Sequence, residues 1–295
     1  MPLTCLIKTI KYENNSSMAI KRQKTKTLVT KTNNNSSDCI APNIIYGCFG
    51  GCLDTYCYMS RYNGDRVYVN ENVNAIFNSV VEWEKTYDKV PNQQDPVYVM
   101  VDIACNSDLV LMQKQMSEPL LDYIKRYDDH PRLNSTMATK YPGLLKLDVN
   151  HFNKPPRVRV SLMPQKYSDI LEPKMQNIMS RIKDINRLKL LGWEVHINYS
   201  PLVFYPGWSN EYDTLFKLVK KYAGENKCEV IALTNHVFQM NKASEEAREL
   251  MKYSDEPKNY SGVMRYPIRK KTVALENFKN IYKKYFNLKT IRYIF

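Results

Sequence analysis

Residues 43–62 read NIIYGCFGGCLDTYCYMSRY, and the fold turns on this stretch. The run NIIYG has the β-branched and aromatic content of a strand. Three cysteines follow at once, Cys48, Cys52 and Cys57, in the spacing C-x3-C-x4-C. Gly50 and Gly51 let the backbone between them curl without Cβ clashes, so three thiolates can wrap one soft metal centre. Three thiolates leave one position open, and on a four-iron cluster the free iron can bind a substrate or cofactor. Two blander readings compete. Structural zinc usually takes four ligands in paired spacing, and Cys39, the nearest spare cysteine, lies on the far side of the first strand. Free cysteines are also commonly buried as small apolar side chains.

Outward from this loop, short β-rich runs alternate with helical stretches. Strands are expected at 42–47, 96–103, 135–140, 157–163, 193–200 and 228–234. NVNAIFNSVVEWEKTY, MSEPLLDYIKRYDD, PKMQNIMSRIKDINRLKLLG and NEYDTLFKLVKKY are the helical stretches between them. Several strands read as nearly continuous apolar runs, as parallel strands covered on both faces should. Six such units predict a parallel α/β fold, either an open sheet or a complete or partial barrel. Residues 1–37 read as a basic, Asn/Ser-rich arm in which TLVTKT is the stretch expected to pair with the body. Residues 38–255 form that body. Residues 256–295 read as an appendage: a turn-rich basic segment, a final helix and a short tail, TIRYIF, rather than a seventh unit.

Composition narrows the function classes. A chain of 295 residues, 43% of them hydrophobic, buries about three quarters of its unfolded surface and needs no disulfide scaffold. No run approaches roughly 18 uninterrupted apolar residues, so no membrane span is expected. The opening MPLTCLIKTIKY lacks the apolar stretch of a signal peptide, and a reducing, intracellular (cytoplasmic) location follows as the expectation. Seven cysteines are then better read for chemistry than for bridges. Lys and Arg number 43 against 30 acidic residues, a net charge of +13. That excess favours an anionic partner, most simply nucleic acid, through phosphate contacts and counterion release. No Ser/His/Asp elbow, phosphate-loop glycine pattern or calcium loop is present. His130, His151 and His196 show no paired ligand spacing, while His236 ends the sixth strand.

The cysteine loop resembles the cluster loop of radical SAM enzymes, which place an aromatic residue before the last cysteine, as Tyr56 is here. This sequence carries two extra residues between Cys52 and Cys57 relative to the usual form. Further segments resemble the spore photoproduct lyase family in particular. They are VDIACNSDLV (101–110), GWEVHINYSPLVFYPGWSNEYDTLF (192–216) and VMRYPIRKK (263–271), with shorter matches at ATKY and RVRVSLM. They run in family order over roughly residues 38–272. The resemblance implies a partial (β/α)6 radical SAM-type barrel. It also implies a lyase that uses a 5′-deoxyadenosyl radical to split a thymine–thymine photoproduct in DNA.

The same resemblance implies roles. Cys48, Cys52 and Cys57 would ligate a [4Fe-4S] cluster whose unique iron is chelated by S-adenosylmethionine. An external electron donor would reduce the cluster. Ser107, Lys140 and Ser161 match positions that contact S-adenosylmethionine, where hydroxyls and an ammonium suit its carboxylate and ribose. Cys105 would return a hydrogen atom to the substrate radical, with Tyr58 and Tyr56 relaying the radical. Arg265 and Tyr266 match a hairpin that grips and wedges the damaged duplex, although Pro267 and Arg269 stand where the family has glycines. Cys48, Cys105, Ser107 and Lys140 follow the expected strands and Ser161 lies within one, which agrees with a barrel whose chemistry gathers at strand C-termini.

Overall fold

The computed structural model describes residues 19–33, 36, 38–50, 52, 66–87, 95–236, 241, 243–252, 256–258 and 262–294. The first strands are short: β1 Ala19–Gln23, β2 Lys31–Thr32, β3 Cys39–Ile40, β4 Ile45–Tyr46 and β5 Arg66–Asn70. Helix α1, Val73–Lys85, leads to β6, Val99–Asp102. Next come α2 Leu109–Met112, α3 Leu120–Asp129, β7 Leu133–Thr139 and β8 Arg157–Leu162. Helices α4 Gln165–Leu171 and α5 Ile178–Leu190 precede β9, Glu194–Leu202, and α6 Trp208–Tyr222 precedes β10, Cys228–Ala232. The chain closes with β11 Thr234–His236, α7 Glu245–Met251, β12 Glu256–Lys258, β13 Val263–Arg265, α8 Ile268–Tyr282 and β14 Ile291–Ile294.

Eight strands form one curled sheet in the order β14-β10-β9-β8-β7-β6-β3-β2, parallel throughout except for the β2–β3 edge pair. The sheet is an open half-barrel of the expected kind, with five of the six predicted strands present as β6 to β10 and β3 ahead of them in sequence order. Helices cover the outside. Helix α5 shows why: Ile178, Ile182, Ile185 and Leu188 recur at helical spacing and are buried against the sheet. Each such side chain contributes about 1.5–3 kcal/mol by leaving water. At the end of α5, Gly192 holds φ +90° and an added Cβ would lie 2.8 Å from the Asn150 nitrogen, so only glycine turns the chain there.

Three features differ from expectation. The first barrel strand is Cys39–Ile40, not 42–47. Ala41 N–H still donates to Asp102 O at 3.2 Å, but Pro42 has no N–H to continue the ladder. Ile45–Tyr46 instead pairs antiparallel with β5. In the basic arm, TLVTKT does meet the body through β2, and Ala19–Gln23 adds an unexpected strand beside β5. Finally, TIRYIF is no tail. Ile291–Ile294 pairs parallel with β10, with α8 lying between the two strands in sequence, so a seventh strand–helix–strand connection exists.

The inner strands are also not continuously apolar: one face of the sheet is polar. In register, Arg157 pairs with Glu194, Arg159 with His196 and Ser161 with Asn198. These alternate with Val158, Val160, Val195 and Ile197, which are buried in the core. Arg159 Nη2 lies 2.7 Å from Asp102 Oδ2 and Nη1 3.6 Å from Glu229 Oε2. His196 Nε2 is 3.0 Å from Glu194 and Nδ1 is 3.6 Å from Glu229. Arg292 reaches Glu229 and, at 3.0 Å, Asp38, while Tyr293 Oη donates to Glu229 at 3.1 Å. Arg157 pairs with Asp95 and with Glu194. Burial alone would raise the Glu229 carboxyl, but Arg159, His196 and Arg292 outweigh it and hold it at about 2. Among the described residues no helix is long and apolar enough to cross a membrane.

Candidate active site

Cys48 and Cys52 follow β4 at the C-terminal end of the half-barrel. Cys52 is 6% exposed and its thiol donates to Gly50 O at 3.6 Å. A Cβ on Gly50 would stand 3.5 Å from Cys48 Sγ, 3.4 Å from Met175 Cε and 3.7 Å from Leu111 Cδ2. The Cys48 sulfur thus lies in van der Waals range of the Gly50 position, next to Met175 and Leu111. Tyr56, Cys57 and Tyr58 fall outside the described residues. Among the described residues no group of three His, Cys, Asp or Glu is placed to hold a metal ion. The two described thiols do fit the thiolate set of a cluster: soft donors on a glycine loop, with Cys48 partly open. Cys39 is elsewhere, buried on β3 opposite Val101, where burial and then Asp38 push its thiol up to about 12.

The loop after β6 is tied directly to the cysteine loop. Gly47 N–H donates to Asn106 O at 3.0 Å, and the Ser107 hydroxyl donates to Gly47 O at 2.7 Å. Asp108, which caps α2 through Leu111 N–H at 3.1 Å, also accepts from Thr139 Oγ1 at 2.9 Å and from Lys140 N–H at 2.9 Å. Burial raises its carboxyl above the ordinary value, although these hydrogen bonds pull the other way. Lys140 Nζ is 3.6 Å from Glu172, a fully buried carboxylate that Arg181 holds at 2.7 Å. Arg181 in turn donates to Ser161 O at 3.1 Å, and Ser161 Oγ accepts from Asn198 at 3.4 Å. Cys48, Cys52, Ser107 and Lys140 are thus linked at the strand ends, and Arg181 ties the buried Ser161 into the same chain of contacts. Asp108, Thr139, Glu172 and Arg181 make that chain and were not singled out from sequence. The signal for Asp108 was the N-cap position ahead of an apolar run, LVLM.

Cys105 stands beside this chain. Asp102, the last residue of β6, accepts from Ala104 N–H at 3.1 Å while its other oxygen is clamped by Arg159, which fixes the start of the Cys105 loop. A cleft of about 670 Å³ opens there, lined by Thr25, Lys31, Tyr46, Tyr68, Cys105 and Asn106 among others. Burial, and then the Asp102 carboxylate, push the Cys105 thiol up to about 12. It is therefore S–H, not thiolate, at neutral pH.

The hairpin residues separate. Arg265 ends β13, the central strand of a small antiparallel sheet with β11 and β12, and its Nε has no hydrogen-bond partner. Tyr266 is only 4% exposed; Phe204 N–H donates to its hydroxyl at 2.9 Å and the two rings lie 4.7 Å apart. Tyr266 is a wall, not a projecting wedge, because its hydroxyl and ring are both engaged.

The open parallel half-barrel is the radical SAM-type fold. The spore photoproduct lyase family matches residues 8–290. The chain belongs to that family and is accordingly a lyase. No curated protein matches its sequence. Its fold is similar to that of a solved spore photoproduct lyase complexed with dinucleoside spore photoproduct, with TM-score 0.77 and 16% identity over 94% of this chain and 82% of the other. A variant of that enzyme with bound AdoMet and dinucleoside spore photoproduct matches with the same TM-score, identity and coverage. Another variant, with the dinucleoside alone, gives TM-score 0.76 and 17% identity over the same shares.

Proposed function

We propose that the chain is a radical SAM DNA-repair lyase that splits a thymine–thymine photoproduct. One observation carries this reading: the cysteine loop and the Cys105 loop are hydrogen-bonded to each other, with the Cys105 thiol in the wall of the adjoining cleft. The cofactors are a [4Fe-4S] cluster and S-adenosylmethionine, which together supply a 5′-deoxyadenosyl radical that removes one hydrogen atom from the substrate. Cys48, Cys52 and Cys57 are the ligands that would hold the cluster. Ser107, Lys140 and Ser161 are the residues that would hold the methionine and ribose groups of S-adenosylmethionine. After β-scission of the carbon–carbon bond joining the two thymines, the Cys105 S–H returns one hydrogen atom to the remaining carbon radical. Its depressed acidity suits that step, because a thiolate has no hydrogen atom to give. Tyr58 and Tyr56 would return a hydrogen atom to the resulting thiyl and would recover one from the 5′-deoxyadenosine formed in the first step. Arg265 would hold a phosphate, with Tyr266 fixing the adjoining wall.

The test is direct. Protein reconstituted anaerobically with iron and sulfide is given reductant, S-adenosylmethionine and a dinucleoside photoproduct, and thymidine release is followed by chromatography. Repair by the wild type is expected, and Cys105→Ala should keep its iron while giving off-pathway products. A colourless preparation that binds zinc in place of iron would overturn the assignment.

A further inference from the structure

Helix α8 opens with Arg269, Lys270 and Lys271, and its first turn holds no acidic residue. Like charges this close repel one another. None of the three finds an acidic partner or side-chain hydrogen bond among the described residues. Beside them lies a cavity of about 470 Å³, within the range of a small-ligand site, lined by Phe204, Trp208, Tyr266, Arg269, Lys270 and Val273. Its floor is aromatic: Trp208 packs edge-on to Phe204 at 5.0 Å, and Phe204 lies on Tyr266. At its rim, Ile268 and Val273 are 75% and 71% exposed. An aromatic floor under unpaired cations is the arrangement that holds unpaired nucleic acid, because any base can stack and each phosphate takes a cation. A duplex hides its base faces and cannot use such a floor.

We propose that this groove takes one unpaired nucleotide of single-stranded DNA next to the lesion, its base on Trp208 and Phe204 and its phosphates on Arg269 and Lys270. The inference rests on the DNA-repair reading above and extends the contact beyond the two damaged residues. Because Tyr266 is shared by the groove and the hairpin, the extra contact continues directly from Arg265.

The experiment uses lesion-free oligothymidylate and the full chain, with affinity read by fluorescence anisotropy at several salt concentrations and stacking by tryptophan quenching. Replacing Arg269 and Lys270 together by Ala should lower the salt slope by about 1.4, or 0.7 for each single-strand phosphate released. Trp208→Ala should weaken binding about five- to 150-fold and abolish the quenching. Thermal melting checks that each variant folds. Arg269→Glu with Lys270→Glu, both on exposed side chains, gives a second variant that leaves the core untouched. Wild-type binding in these variants, preference for duplex of the same sequence, or no oligonucleotide binding at all would overturn the proposal. Turnover of a dinucleoside photoproduct, too short to fill the groove, reports separately on the repair reading, so the two failures are distinguishable.

Discussion

At the N-terminal ends of the parallel strands, buried Arg157 pairs with half-buried Glu194, and buried Glu229 pairs with Arg292. At the C-terminal ends stand Cys48, Cys105, Ser107 and Lys140, each partly exposed at the mouth. The same strands thus run from a closed ionic layer to an open layer of thiols and hydroxyls. Charges at the bottom pair between strands of the sheet, although Arg157 Nη1, Arg159 Nε and Arg292 Nε have no hydrogen-bond partner among the described residues. Groups at the mouth are held through the backbone and by neighbours, which leaves reactive atoms near the cleft. The contrast predicts that changes at the mouth disable chemistry without unfolding, whereas changes at the bottom unfold the chain.

The largest expected effect is on Cys48. Cys48→Ala should abolish iron loading and repair, while its unfolding free energy falls by no more than about 1 kcal/mol, since the side chain is half-buried at a loop. Iron content and urea unfolding on the same preparation check both halves. Unfolding of the variant would erase the distinction between the two ends.

Cys105 gives the next largest effect. With its thiol at about 12 against an ordinary value of 9.0, its thiolate fraction near pH 8 should be about a thousand-fold below that of an unperturbed cysteine. Alkylation by iodoacetamide, followed by mass spectrometry of the Cys105 peptide, should be correspondingly slow and rise tenfold per pH unit. Fast modification at pH 7 would mean a thiolate, and the hydrogen-atom role would fail with it.

At the bottom, Glu229→Ala strands Arg159 and Arg292 without their shared carboxylate and should cost about 3–5 kcal/mol. The pH dependence has the same origin. Glu229 and Glu194 are both held at about 2, below the ordinary 4.5, so their stabilisation is complete above pH 4.5 and is lost as pH falls towards 2. Chemical denaturation across that range should show the loss in the wild type and a flatter profile in Glu229→Ala. A variant as stable as wild type would show that the ionic layer does not hold the sheet.

The mouth was more legible than the bottom, for a physical reason. Cysteines, ACNSD and the hairpin segment are local patterns of uncommon residues, and the six strands between helices carry their own apolar signal. Arg157 and Arg159 alternate with Val158 and Val160, and Glu194 and His196 with Val195 and Ile197, so a period of two was in the sequence. What it lacked was register: only pairing brings Glu229 to Arg159, and only β14, a four-residue edge strand, brings Arg292. The Cys39–Ile40 strand was missed because two residues carry no period at all, while the stronger β-signal of Ile44 and Ile45 lies just beyond Pro42. Asp108 and Glu172 look like surface acids in sequence. Their roles come from contacts across loops.

The smallest effect is on Ser107, where the two kinds of role meet in one hydroxyl. Its hydrogen is committed to Gly47 O at 2.7 Å, so towards a cofactor it can only accept, and an ammonium or a ribose hydroxyl are the groups it would suit. Ser107→Ala removes a tie between the Cys105 loop and the cysteine loop and should cost about 1 kcal/mol, the usual worth of one such bond. Gly47 N–H still reaches Asn106 O, so the loop should keep its path and its iron. Ser107→Thr, which retains the hydroxyl, should restore most of the stability. Calorimetric titration with S-adenosylmethionine then separates the roles. A stability loss with unchanged cofactor affinity assigns Ser107 to the tie, and a tenfold loss of affinity in a variant of wild-type stability assigns it to the cofactor. The 2.7 Å bond predicts that the stability loss occurs, and its absence would show that the mouth is held without this hydroxyl.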